Sequence, residues 1–205
     1  MRQIEVFGDV ACPFTHVGLR RFMAERSKRG STVEFVVRAW PLERVNDAPL
    51  DPTAMAGKVD ALRDSVAPDL FGGFDVGTFP VTSLPALQLE AEGYRSSQRQ
   101  GERVSLALRD ALFEHGRDLS DPDVIREIAD AHGMPAPSRD EGLDHVLVDW
   151  HEGQARGVKG SPHFFIDDSD FFCPSLDISH NGDRLEISFD TAGFAEFVDR
   201  CFGDV

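Results

Sequence analysis

Short apolar runs near the two ends of the chain flank a long middle stretch in which apolar residues recur with helical spacing. Residues 3–8 form one such run and predict a buried strand. Pro13 suits the first turn of a helix, and Val17, Leu19, Phe22 and Met23 predict one that ends near Gly30. Residues 33–40 (Val-Glu-Phe-Val-Val-Arg-Ala-Trp) are rich in β-branched and aromatic types and predict a second strand, stopped by Pro41. Strand, helix and strand within ~40 residues make a right-handed parallel crossover.

From residue 52 to 148 the pattern is helical and punctuated by Gly and Pro. Asp51 and Asp121 each precede a proline and a helical run, as N-caps do. Helices are predicted over 84–94, 104–113, 124–131 and 143–155. The last third returns to β structure. Residues 162–166 and 171–173 flank the loop 167–170 and predict a hairpin. Asn181-Gly182 marks a second hairpin leading into 185–189, and a closing helix is predicted over 192–201. The expected fold is α/β, with its core split between residues 1–44 and 149–205 and an all-helical insertion at 45–148.

The length of 205 residues suits one well-buried domain carrying an insertion, and 41% hydrophobic residues with 16 Phe exclude a disordered chain. A formal charge of −15 repels phosphate backbones and anionic lipid surfaces, so neither nucleic acid nor a membrane is an expected partner. No apolar run approaches the ~18 residues of a membrane span. Met1-Arg2-Gln3 leads straight into the first strand, which sets a cytoplasmic expectation in which thiols stay reduced. Cys12, Cys173 and Cys201 are too irregularly spaced for a disulfide framework or a metal cluster. His145, His151 and Glu152 are poorly spaced for ligation and read as surface, and Asp167, Asp168 and Asp170 read as a solvated turn, so no metal is expected. Phosphate-loop, zinc-protease and nucleophile-elbow motifs are absent from the sequence.

Cys12 is the residue that carries chemistry. A cysteine at a helix N-terminus faces unpaired backbone N–H groups and the positive end of the helix dipole, both of which favour thiolate over thiol. Thr15, three residues on, is expected to donate its hydroxyl to the sulfur. A threonine cannot close a disulfide within the motif, nor resolve a mixed disulfide.

The run Asp9-Val10-Ala11-Cys12-Pro13-Phe14-Thr15 with Val17-Gly18-Leu19 resembles the active-site turn of the DsbA-like branch of the thioredoxin superfamily, in particular its FrnE-type members. Gly157-Val158-Lys159-Gly160-Ser161-Pro162-His163-Phe164-Phe165-Ile166 is similar to that family's second signature, a Gly-Val-x-Gly-x-Pro loop entering a strand. Trp40-Pro41-Leu42-Glu43 and Ser83-Leu84-Pro85-Ala86-Leu87 also resemble the family, and the likeness spans roughly residues 3–170. It implies a thioredoxin-like core with a helical insertion and a cis Ser161–Pro162 bond beside Cys12. The Ser161 backbone would be offered to an extended substrate, and the activity would be that of a thiol–disulfide oxidoreductase. Cys12, Pro13 and Thr15 would be catalytic; Ser161, Pro162, Phe14, His16 and His163 would contact substrate.

The chain departs from the family's usual Cys-x-x-Cys, having Cys-x-x-Thr. The departure favours monothiol exchange with a low-molecular-weight thiol such as glutathione or mycothiol, with no tightly bound cofactor. Substrates would be thiol- or disulfide-bearing proteins or small molecules. Hydroxychromene-carboxylate isomerases and kappa-class glutathione transferases share the insertion but generally carry serine where Cys12 stands. A thiol-dependent isomerase or transferase, and a redox-inactive binding module, are therefore the competing readings. Counting outward from the loop 167–170 puts Cys173 opposite Phe164, where it is either a resolving thiol or a small core residue. Cys201, among Phe197, Val198 and Phe202, reads as core. His16 and His163 read as walls or proton acceptors near the sulfur, and Asp9 as a turn or capping residue or, secondarily, a general base.

Overall fold

A computed structural model describes residues 4–137, 143–182 and 184–203. The first strand, β1 (Ile4–Gly8), runs parallel to β2 (Phe35–Ala39), and α1 (Pro13–Lys28) makes the crossover between them. β3 (His163–Ile166) pairs antiparallel with the other edge of β1, and β4 (Ser169–Phe172) with β3, giving the order β2-β1-β3-β4. Val6 thus sits between Val37 and Phe164, residues from opposite ends of the chain. One face of the sheet packs on α1 and α8 (Thr191–Phe202) through Ile4, Val6, Phe22, Phe35, Phe164 and Phe197, and Cys201 is buried in this cluster.

Between β2 and β3 lie α2 (Leu42–Val45), α3 (Pro52–Ser65), a single 3-10 turn over Val76–Thr78, α4 (Leu84–Ser96), α5 (Gln98–Phe113), α6 (Pro122–Ala131) and α7 (Leu143–Ala155). Asp51 and Asp121 cap α3 and α6 by accepting backbone N–H groups, as their place before a proline predicts. α4 and α5 also pack on β2, and α7 covers the second face of the sheet. Gly153 permits that approach: a Cβ there would lie 2.6 Å from Trp40 Cζ3 and 3.0 Å from Phe7 Cδ1. Asp149 on α7 accepts the Ala39 N–H at 3.0 Å and pairs with Arg38, which also holds Glu5. α7 is continuous across residue 148, so the expected division at 148/149 falls inside a helix that spans both parts.

The hairpin after Pro162 is tighter than the sequence suggests. Ile166 pairs with Ser169 across the two residues Asp167-Asp168, Asp167 adopting a φ of 51°, and Phe164 pairs with Phe171. The expected four-residue loop is corrected accordingly. Ser169 and Asp170 belong to an edge strand whose outer positions face solvent, so their polarity does not forbid pairing. The second hairpin forms at Asn181-Gly182 as predicted, but β5 (Leu176–Asn181) and β6 (Arg184–Phe189) make a separate two-stranded sheet packed on α3. Among the described residues no helix is long and apolar enough to cross a membrane.

Candidate functional site

The chain turns from β1 into α1 at Asp9, Val10 and Ala11, and Cys12 occupies the N-cap of α1 with extended backbone, followed by Pro13 at the first helical position. Its side chain caps no helix amide. The Cys12 thiol instead donates to the carbonyl oxygen of Ser161 at 3.1 Å. The Ser161–Pro162 peptide bond is cis. α1 lies directly over that proline, since a Cβ on Gly18 would sit 3.4 Å from Pro162 Cγ.

Ser161 is held from two sides. Its hydroxyl oxygen accepts the Asp9 N–H at 2.9 Å and shares a 2.7 Å hydrogen bond with Thr15 Oγ1. The expectation that Thr15 bonds the sulfur is therefore corrected: its hydroxyl, fully buried, is directed to Ser161. Gly8 leaves the room for this, because a Cβ there would lie 3.0 Å from Thr15 Cγ2.

Asp9 ties the turn to the insertion. Its Oδ1 accepts from the Ala11 N–H at 2.9 Å, and its Oδ2 from the Leu42 N–H at 2.7 Å and the Ser83 hydroxyl at 2.9 Å. Burial raises its carboxyl from 3.8 to about 6, against these donors and the field of Arg109. Glu43 accepts from Thr82 Oγ1 and the Ser83 N–H at 2.7 and 2.9 Å, so the segments around residues 40–43 and 82–87 interlock beside the cysteine.

The two histidines do not face the sulfur. His16 hydrogen-bonds Glu114 through Nε2 at 2.7 Å and packs between Phe71 and Phe113. Burial lowers His16, and Glu114 opposes that shift. Glu114 is lowered to about 2: burial raises it, but His16 and the N–H groups of Phe71 and Gly72 outweigh burial. A neutral imidazole donating Nε2–H to an ionised Glu114 satisfies both shifts. His163 accepts the Lys159 N–H at 3.2 Å through Nδ1, meets Asp170 at 2.8 Å through Nε2, and packs against Phe165 and Phe172. Burial lowers it as well, with Asp170 opposing. Both expectations of an imidazole at the sulfur are thus corrected. Each ring is drawn to a carboxylate elsewhere.

Cys12 is only 2% exposed, yet it lines a cavity of about 340 Å³ with Pro13, Phe14, Leu42, Met55, Lys58, Ser161, Phe172, Cys173 and Ile178. A larger groove of about 890 Å³ between α3 and the β5–β6 hairpin adjoins it, sharing Phe14, Lys58 and Ile178. Half-buried Lys58 makes no hydrogen bond or ion pair with any described residue. The cavity brings together Cys12, Pro13, Phe14, Ser161 and Cys173 of the expected set. It adds Leu42, from the Trp40-Pro41-Leu42-Glu43 motif, and Met55, Lys58 and Ile178, which no local motif marks. His145 contacts Arg95 and Glu92, and His151 contacts Gln154; no group of three His, Cys, Asp or Glu able to hold a metal occurs among the described residues.

A family model for the "DSBA-like thioredoxin domain" matches residues 3–185. The chain is 24% identical to the uncharacterized protein YwbO of Bacillus subtilis over 144 residues, 69% of this chain and 71% of that protein. Its fold is similar to that of a probable DsbA oxidoreductase from Streptomyces coelicolor, with a TM-score of 0.65, 17% identity and coverage of 100% of this chain and 92% of the other. It is also similar to the cytosolic disulfide reductase DsbM from Pseudomonas aeruginosa, with a TM-score of 0.63, 13% identity and coverage of 96% and 93%. These likenesses concern the fold, and it is the α/β, thioredoxin-like class expected from the sequence.

Proposed function

Since the chain belongs to the DSBA-like thioredoxin domain family, we propose that it is a thiol–disulfide oxidoreductase whose nucleophile is Cys12. The observation that carries this reading is the placement of Cys12 Sγ at the N-terminus of α1, 3.1 Å from the Ser161 carbonyl and at the wall of a cavity. In the resting arrangement the thiol donates to that carbonyl. Once the proton leaves, the carbonyl repels the sulfur and the unpaired first-turn amides of α1 attract it. The thiolate then attacks a disulfide in the cavity, forms the mixed disulfide Cys12–S–S–R and expels the second sulfur as a thiolate. Thr15 and Asp9 act as positioning residues, fixing Ser161 so that its backbone and Pro162 align the substrate.

A sulfur this enclosed suits a small disulfide or a slender extended chain better than a folded protein surface. Lys58, which pairs with no described residue, offers a cation at the cavity's junction with the groove, which favours a carboxylate-bearing substrate such as a glutathione-type disulfide over the uncharged mycothiol type. A reducing compartment such as the cytoplasm supplies the thiol for return. The same largely apolar enclosure suits a thiol-dependent isomerase or transferase as the second reading. The experiment is turnover of a fluorophore-labelled oxidised glutathione with glutathione as reductant. Turnover by the wild type that Cys12→Ser abolishes is the expected result. Equal rates for the two proteins overturn the assignment, and tight glutathione binding without disulfide turnover favours the second reading.

A further inference from the structure

Cys173 stands nearer the reactive sulfur than its place in the sequence suggests. Because the β3–β4 turn holds two residues, the ladder continues from His163↔Phe172 to place Cys173 across from Pro162, two residues closer to Cys12 than a four-residue loop allows. The Cys173 N–H donates to the Pro162 carbonyl at 3.1 Å, while Cys12 Sγ donates to the carbonyl of Ser161, so the two cysteines are anchored to consecutive residues. Pro162 faces α1, as its contact with Gly18 shows. Cys173, just past the end of β4, is buried in the same hydrophobic cluster as Val10 and Ala11 of the turn that leads into Cys12. Both cysteines line the 340 Å³ cavity. Cys173 also adopts a φ of 45°, a left-handed conformation that costs a residue with a side chain and recurs at working sites.

We infer that Cys173 is the resolving thiol of a Cys12–Cys173 couple, supplying from the end of β4 the second sulfur that Thr15 does not. This rests on Cys12 being the attacking thiol, as proposed above. In the first step Cys12–S⁻ attacks R–S–S–R′, forming Cys12–S–S–R and releasing R′–S⁻. In the second, Cys173 gives up its proton and attacks the Cys12 sulfur, forming Cys12–S–S–Cys173 and releasing R–S⁻. Two protein thiols are oxidised by two electrons, the substrate disulfide is reduced to two thiols, and the protons pass to the leaving thiolates. A low-molecular-weight thiol in excess returns the couple to its reduced form.

The order of attack follows from the environment. Burial pushes the Cys173 thiol up, and negative charge on Cys12 pushes it further. The second contribution disappears when Cys12 is capped in the mixed disulfide, so Cys173 ionises more readily after the first step than before it.

The test is intact-mass analysis of the reduced full chain after stoichiometric oxidised glutathione, followed by peptide mapping. The expected wild-type product is two hydrogens lighter than the reduced chain, carries no adduct and yields a peptide pair linked through Cys12 and Cys173. Cys173→Ser is expected to accumulate a lasting glutathione adduct on Cys12, and Cys201→Ser to behave as wild type. Should Cys173→Ser fail to fold, the wild-type linkage alone decides. A lasting wild-type adduct on Cys12 overturns the couple while leaving the single-thiol reading intact. Absence of any reaction at Cys12 overturns both.

Discussion

The Asp9 carboxylate accepts a hydrogen bond from the Ser83 hydroxyl at 2.9 Å, joining the end of β1 to the N-cap of α4 across 74 positions of sequence. Burial raises the Asp9 carboxyl to about 6 from 3.8, so between these values the native chain binds more protons than the unfolded one. The cost of the buried charge is therefore present above about pH 6 and fades as pH falls. Ser83→Ala removes a donor to the charged form and is expected to lower stability by ~1–2 kcal/mol at pH 8. The deficit should shrink at pH 5. Urea unfolding at the two pH values checks this, and equal deficits contradict it.

Glu114 responds in the opposite sense. Its carboxyl lies at about 2 rather than 4.5, so its contribution is full above 4.5 and is lost as pH falls toward 2. The side chain is 20% exposed, so solvent screening reduces the stabilisation to ~1–2 kcal/mol. Glu114→Gln is expected to lose that amount at pH 7 and to converge with the wild type near pH 2. Denaturant midpoints across that range measure it. The Cys12 alkylation rate should not change, because the His16–Glu114 pair ties α1 to the insertion and does not involve the sulfur.

Thr15→Val separates the observed role of Thr15 from the one its spacing suggests. Loss of a direct hydrogen bond to sulfur worth ~1 kcal/mol would alter thiolate chemistry roughly fivefold. Because the hydroxyl bonds Ser161 instead, iodoacetamide alkylation of Cys12 should stay within about twofold of wild type, while stability falls by ~1 kcal/mol. A larger change in alkylation with unchanged stability would restore the sulfur contact.

What the sequence made legible was local. The β1–α1–β2 crossover, the cysteine at the N-cap and the proline after it all follow from periodicity within a few residues. The turn at Asn181-Gly182 follows from the backbone freedom of glycine, with Gly182 at a φ of 62°. The length of the Asp167-Asp168 turn was hidden, because an exposed edge strand tolerates the same polar residues as a loop. Closeness in sequence to Cys12 points Thr15 and His16 at the sulfur, and closeness to Pro162 points His163 there, but their partners, Ser161, Glu114 and Asp170, are fixed by tertiary packing. Lys58, Met55 and Ile178 carry no local signal, since a helix and a separate hairpin bring them to the cavity only when the chain is folded.

The pairing of β1 with a strand that arrives more than 150 residues later has a consequence for how the protein comes into being. While the chain is being synthesised, the thiol of Cys12 emerges long before the Ser161 carbonyl that receives it and the α3 and β5–β6 walls that enclose it. Such long-range closure is slow relative to the helix that carries the cysteine. The nascent polypeptide thus carries an unshielded thiol at position 12 until its final third is delivered, and surroundings that keep that thiol reduced favour its enclosure.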